Sequence, residues 1–443
     1  MRGSTKRAAL LAAGIIVVAG AAALARMVFL PGALDFASGH QVSLADFKGP
    51  SPTGVPKELA NAALLERGAY LTAAADCQAC HTAEGGPPYA GGRPFKLPFG
   101  TLYTPNITPD AETGIGRWSD ADFLKAVHKG VAPGGRRLYP AFPYASYTLM
   151  TDEDVLAIKA YLFSLAPVRR ENLPDTFAFP YNQRWLMIFW GLLFNPDHRF
   201  MPVAERGPEW NRGAYLVEGA AHCGECHTPR TPFQAMDTRR KFAGGQAEGW
   251  NAYNITPDVP SGIGGWSAEQ IEAYLAHGHA KGKSVASGPM REAVELSFSK
   301  LSPSDIAAMR SYLQTVPAVH TSLPAPAGPA PREHGATVAD NLDGKRMFEG
   351  ACASCHAWSG AGVNSAEAQL TAKRALNDPS AANVALMILK GSGPQVAGRP
   401  YMPGFSGAYS DEEIAAVANY VTARFGAAPS KITPGDVAKL RLE

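Results

Sequence analysis

Cys77-Gln-Ala-Cys80-His81, Cys223-Gly-Glu-Cys226-His227 and Cys352-Ala-Ser-Cys355-His356 decide how this chain is read. Together they use all six cysteines, so none is left for a structural disulfide. Two thiols and the adjacent imidazole fit on one and a half turns of helix and reach one porphyrin face. C-x-x-C-H is the attachment signature of c-type haem: the thiols bond the vinyl groups and the histidine ligates iron. A zinc knuckle would want its second ligand pair within about 12–20 residues, and here the pairs lie far apart. A thiol redox site needs no histidine after every second cysteine. The pattern predicts three covalently bound haem c groups, attached through Cys77, Cys80, Cys223, Cys226, Cys352 and Cys355, with His81, His227 and His356 as proximal ligands.

Outward from these motifs the chain repeats itself. Arg67-Gly-Ala-Tyr70-Leu71 precedes the first and Arg212-Gly-Ala-Tyr215-Leu216 the second. Asn106-Ile-Thr-Pro-Asp110 leads to Gly114-Ile-Gly-Arg-Trp118-Ser119, and Asn254-Ile-Thr-Pro-Asp258 to Gly262-Ile-Gly-Gly-Trp266-Ser267. Each repeat ends in an amphipathic helix signalled by a capping box: Thr151 to Asp154, Ser302 to Asp305 and Ser410 to Glu413. The predicted fold is all-α, three tandem cytochrome c-like domains at 55–168, 206–320 and 336–428. Trp118 and Trp266 either cover haem or pack in the core. The Asn-Ile-Thr sequons read as turn chemistry, and Arg239-Arg240-Lys241 as a solvated face, with docking as the alternative.

A low-spin haem takes a sixth ligand, and methionine raises its potential. Met402 in Tyr401-Met-Pro-Gly and Met290 in Gly288-Pro-Met-Arg291 are polar-flanked loop methionines of the expected kind. The first domain breaks the pattern: Phe142 stands where methionine is expected, and phenylalanine cannot ligate iron. Three readings stay open there: Met150, which also occupies the hydrophobic-staple position before Thr151; an open or water-bound iron; or His128 or another group.

The 443 residues are 46% hydrophobic and 18% charged, with formal net charge +2. This suits a globular protein of about three domains without the basic excess of a nucleic-acid binder. Mean hydropathy of −0.11 excludes a polytopic membrane protein. Residues 1–30 read as a signal or membrane anchor. Arg2, Lys6 and Arg7 precede an uncharged run from Ala8 to Ala25, just long enough to span a bilayer, and Ala23-Leu24-Ala25 offers a cleavage site. Either form puts the rest of the chain on the periplasmic side of a bacterial cytoplasmic membrane. Residues 321–335 are a proline-rich spacer. The 169–205 linker contains the apolar run Trp185–Phe194, too short to span. It is expected as a belt packed between haem domains, with docking on a membrane or partner as the alternative. No nucleophile triad, phosphate loop or paired-carboxylate site stands out, so no catalytic residue is assigned.

The Arg-Gly-x-Tyr-Leu, Gly-Arg-Pro-Phe, Asn-Ile-Thr-Pro-Asp, Gly-Ile-Gly-x-Trp-Ser and Leu-Tyr-Pro-Ala-x-Pro-Tyr landmarks resemble the tri-haem cytochrome c subunits of bacterial membrane-bound dehydrogenases for alcohol, gluconate, fructose and aldehyde. The likeness runs over about residues 60–426. It implies an electron-transfer subunit that takes electrons from a catalytic subunit carrying molybdopterin, flavin or PQQ and passes them to ubiquinone or another respiratory acceptor such as a terminal oxidase. Phe142 and the tail Ser430-Lys-Ile-Thr-Pro434 to Leu440-Arg441 look more like cytochromes paired with molybdopterin dehydrogenases of aldehydes or heteroaromatics. A freestanding periplasmic shuttle and, on haem one alone, a peroxidase-type enzyme are the competing classes.

Overall fold

The computed structural model describes residues 18, 20–22, 24–323, 341–363, 365–393 and 401–443. Most of the N-terminal apolar run and of the proline-rich spacer lies outside them. Among the described residues no helix is long and apolar enough to cross a membrane.

In the first repeat α1 (Leu64–Ala74) leads to the cysteine turn α2 (Cys77–Cys80). A hairpin of β1 (Pro94–Leu97) and β2 (Gly100–Tyr103), then α3 (Asp120–Lys129), the short α4 (Tyr144–Tyr147) and α5 (Asp152–Ser164) complete it. The linker carries α6 (Leu186–Phe194). The second repeat has α7 (Pro208–Ala214), α8 (Gly224–His227), β3 (Gly245–Ala247), β4 (Trp250–Ala252), α9 (Ala268–His277), α10 (Pro289–Leu296) and α11 (Pro303–Leu313). The third has α12 (Leu342–Met347), α13 (Ala353–His356), α14 (Ala382–Lys390), α15 (Asp411–Phe425) and α16 (Pro434–Leu442).

The all-α expectation needs one correction. Small antiparallel hairpins follow the cysteine motifs of the first two repeats, and a third joins His279–Ala280 to Ser284–Val285. In β3–β4 the turn is Glu248-Gly249, with φ of 49° and 79°. Two positive φ values in a two-residue loop match the right-handed strand twist and close a hairpin however short the strands are.

Each repeat is locked by its first and last helices crossing at a glycine. A Cβ on Gly68 would lie 2.1 Å from the Ala157 carbonyl oxygen, on Gly213 2.0 Å from that of Ala308, and on Gly344 2.4 Å from that of Ala416. These obstacles are backbone and cannot step aside. Gly213→Ala should therefore cost roughly 1–3 kcal/mol or more from overpacking, measured by urea unfolding. Gly191→Ala on α6, where a Cβ meets nothing within 4 Å, serves as the harmless control. Equal stability of the two variants would rule the crossing out.

The second repeat has one residue more than the first between its crossing glycine and its first cysteine (213 to 223 against 68 to 77). A π-helical turn at Tyr215–Ala220 absorbs it. This wider turn lets the inserted residue bulge without shifting the helix crossing or the cysteine register.

The first two repeats share one hydrophobic core, from Leu34 to Val316, while the third has its own, from Phe348 to Val437. The repeats are joined by a pseudo-twofold exchange. The Tyr70 hydroxyl donates to Asp305 of the second repeat at 2.6 Å, and the Tyr215 hydroxyl donates to Asp154 of the first at 2.5 Å. This refines the capping expectation. Thr151 and Ser302 do cap their helices through Asp154 N–H and Asp305 N–H. Their carboxylates, however, reach across the interface instead of closing the box. Only Ser410 of the three terminal caps forms the full reciprocal box.

The linker divides. Phe177 and Phe200 are buried, the first against Phe99 and Tyr139 and the second against Tyr215. Between them no residue of α6 is buried, so the expected packed belt fails over its most apolar stretch. Asn106 and Asn254 are buried turn staples: each side-chain amide donates 2.7 Å to a distant carbonyl, Val168 and Val319, while its oxygen accepts from the threonine two residues on.

Candidate haem sites

Each cysteine motif forms a single helical turn, which sets its two sulfurs and its imidazole side by side. The histidines share one geometry. His81 Nδ1 is 2.8 Å from the Pro105 carbonyl oxygen, His227 Nδ1 2.6 Å from that of Tyr253, and His356 Nδ1 2.6 Å from that of Ala368. A carbonyl can only accept, so the proton sits on Nδ1 and the Nε2 lone pair is left for a metal. Burial also holds all three imidazoles below their ordinary pKa, which keeps them neutral and able to ligate. Among the described residues no three His, Cys, Asp or Glu side chains converge on a metal site. The donor set is one imidazole per thiol pair, which fits haem c and not zinc.

Met402 packs on the third core together with Cys352. Its backbone is held on both sides by Ser392, whose hydroxyl accepts from Met402 N–H at 2.9 Å and whose N–H donates to the Met402 carbonyl at 2.9 Å. Met290 lies half-buried in the first turn of α10, and that helix also packs on the Cys77–Cys80 turn of the first repeat. Phe142 stacks obliquely on Tyr147, ring centroids 5.6 Å apart. Met150 is fully buried in the shared core beside the π turn, near Gly219. It occupies the same pre-cap position as the buried Leu301, in keeping with a staple. His128 is buried with its Nε2 unpartnered. Burial and then the charge of Arg199 lower its pKa to about 4.

Sequence reasoning missed what ties the sites together. Arg93 donates 2.8 Å to the Ala79 carbonyl inside the first cysteine turn and pairs with Glu248 at 2.9 Å and Glu292 at 2.5 Å, both from the second repeat. Arg93 therefore ties the first cysteine turn to two carboxylates of the second repeat. Tyr253, whose carbonyl orients His227, donates its hydroxyl to Asp378 of the third repeat at 3.2 Å. Asn251 and Asn383 exchange two bonds beside it, at 2.8 and 2.9 Å. An arginine in Gly-Arg-Pro-Phe was a visible signal; partners 155 and 199 residues away were not.

Asp76, just before Cys77, sits at φ 50° with an unpartnered buried oxygen. Burial, then Glu292, raise its pKa to about 8 against the pull of Arg93 and Lys300. The folded protein therefore keeps a proton between about pH 4 and pH 8 that the unfolded chain releases, and stability falls as pH rises through that window. Asp76→Asn, which suits the left-handed backbone, should match the wild type near pH 4 and exceed it at pH 8. A pH-independent difference in urea unfolding would count against the buried carboxyl.

This arrangement defines a c-type cytochrome. The family described as Cytochrome c matches residues 65–166 and 342–424. A nicotinate dehydrogenase subunit of Pseudomonas putida is 39% identical over 83% of this chain, which spans 31% of that longer protein. The gluconate 2-dehydrogenase cytochrome c subunit of Pantoea cypripedii is 36% identical over 86% of this chain and 90% of its own length. The cytochrome c subunit of the quinone alcohol dehydrogenase of Gluconobacter oxydans is 36% identical over 86% and 83%. The chain belongs to the family of dehydrogenase cytochrome c subunits.

Proposed function

We propose that this protein is a tri-haem electron-transfer subunit, taking electrons from a dehydrogenase catalytic subunit on the periplasmic side of the cytoplasmic membrane and delivering them to ubiquinone or another respiratory acceptor. The observation that carries it is the thrice-repeated turn of two thiols and an imidazole whose Nδ1 is bonded to a carbonyl. When bound, haem c supplies a one-electron carrier at each turn. The chain's part is to orient the histidines, exclude water and hold the three sites in register. Arg93 does so between the first two, and Tyr253 with Asn251 between the second and third. Met290 and Met402 are the sixth ligands this reading assigns. A heteroaromatic substrate for the catalytic partner is favoured by the higher identity to the nicotinate dehydrogenase subunit than to the gluconate and alcohol subunits.

Gentle detergent extraction at native abundance tests the proposal. A stoichiometric dehydrogenase subunit and an intact mass with three haem adducts are expected. A cytochrome that comes away alone, with dehydrogenase activity unaffected by its loss, would replace this reading with a freestanding shuttle.

A further inference from the structure

We propose that α6 is a membrane-interface element, lying in the headgroup region of the bilayer with its bare side in lipid. The helix is Leu186-Met-Ile-Phe-Trp-Gly-Leu-Leu-Phe194, uncharged throughout. One side is fastened: Trp190 Nε1 donates 2.9 Å to the Phe233 carbonyl, Trp190 meets Tyr144 edge-on at 5.6 Å, and the Phe194 and Phe233 rings lie 5.9 Å apart. The other side has no cover. Leu192 is 77% exposed, and Trp185, Phe189 and Leu193 each at least half. Nine residues rise about 14 Å, too little to cross a hydrocarbon core of about 30 Å, so the helix can lie in the interface but not span it. Tryptophan at the rim suits the headgroup level.

The choice of lipid over a protein partner rests on where the rest of the chain leads. The loop 229–241 that braces α6 through Phe233 also grips the N-terminal segment. Arg239 donates to the Arg26 carbonyl at 2.7 Å, Thr238 to that of Pro31 at 2.8 Å, and Lys241 to that of Ala33 at 2.5 Å. The expected solvated face Arg239–Lys241 is thus a clamp. Arg26 directly follows the uncharged run Ala8–Ala25, and Phe29 nearby is 80% exposed. One loop therefore binds both the residues that follow the uncharged run and the exposed apolar helix α6, which puts them on a common side. The inference deepens the membrane placement in the proposed function, but its readout is lipid contact and not electron flow, so either can fail alone.

The test uses the full-length holo-protein reconstituted into vesicles of phosphatidylethanolamine and phosphatidylglycerol containing a photoactivatable diazirine phospholipid, with adducts mapped by mass spectrometry. Adducts are expected on residues 185–193 and on Phe233. The double variant Leu192→Glu/Leu193→Glu should lose at least tenfold of the labelling in 185–193 while keeping its haem absorbance. Labelling confined to residues 1–30 in the wild type would overturn the inference. So would a helix that is labelled only after a tightly bound subunit is stripped away, which would make this face a protein interface.

Discussion

Asp305→Ala lowers the unfolding free energy of the holo-protein by about 3–5 kcal/mol, the usual penalty for stranding a buried charge. Asp305 is buried at the start of α11 and accepts from Arg212 Nε at 2.8 Å and Nη2 at 2.7 Å, and from Tyr70 of the first repeat at 2.6 Å. Arg212 is itself buried, and its remaining nitrogen is spent on the carbonyls of Gly54 at 2.9 Å and Pro52 at 3.2 Å. Without Asp305, its largely buried charge loses its counter-ion. The Tyr70 hydroxyl then loses its acceptor as well, and with it one side of the pseudo-twofold exchange. Tyr70→Phe removes the bond to Asp305 and the one the hydroxyl accepts from Ser302 N–H at 3.1 Å, but strands no charge, and should cost about 1–2 kcal/mol. The double replacement Arg212→Met/Asp305→Leu should recover much of the loss, because no charge then remains to desolvate. Urea unfolding followed by helical ellipticity and haem absorbance separates the three. A loss below about 1 kcal/mol for Asp305→Ala would mean that Arg212 finds another partner and that the repeats are not joined here.

The same residues show what a sequence exposes. Cys, Cys and His lie within one turn, so the three candidate motifs are legible from spacing alone, and the duplication is legible because its landmarks are contiguous. The chain pattern marks Asp154 and Asp305 only as local capping partners, since it cannot say that each carboxylate turns to a tyrosine in the other repeat. The residue inserted before Cys223 was visible as a change of offset, yet only the structure shows it taken up as a π turn at Tyr215–Ala220. The carbonyls of Pro105, Tyr253 and Ala368 are backbone atoms of ordinary residues, invisible to motif reading although they set each histidine's tautomer. The run Leu186–Phe194 leaves packed belt and docking surface both open in the sequence for a simple reason. An apolar run announces a preference for leaving water, and whether protein or lipid answers it is a tertiary fact.

Met402→Ala should lower the midpoint potential of one haem by a sizeable fraction of the roughly 0.8 V that axial ligands span, leaving the other two in place. Thioether sulfur is a soft donor that favours the reduced iron, so its loss favours the oxidised state. The position suits a fixed ligand. Ser392 holds Met402 from both sides, and Gly391, at φ 70°, lets the loop close on α14, where a Cβ would stand 2.4 Å from the Met402 carbonyl oxygen. These two bonds fix the Met402 backbone, and the residue is half-buried. Met387, within the neighbouring helix α14, gives the comparison: Met387→Leu should leave all three potentials unchanged. Met290→Ala should move a different haem from the one Met402→Ala moves, because Met290 belongs to the core shared by the first two repeats and Met402 to the third. A spectroelectrochemical titration of the purified holo-protein reads each case. An unchanged titration for Met402→Ala removes it as a ligand, and a shift of the same haem by both variants would place one of the two methionines in a core role.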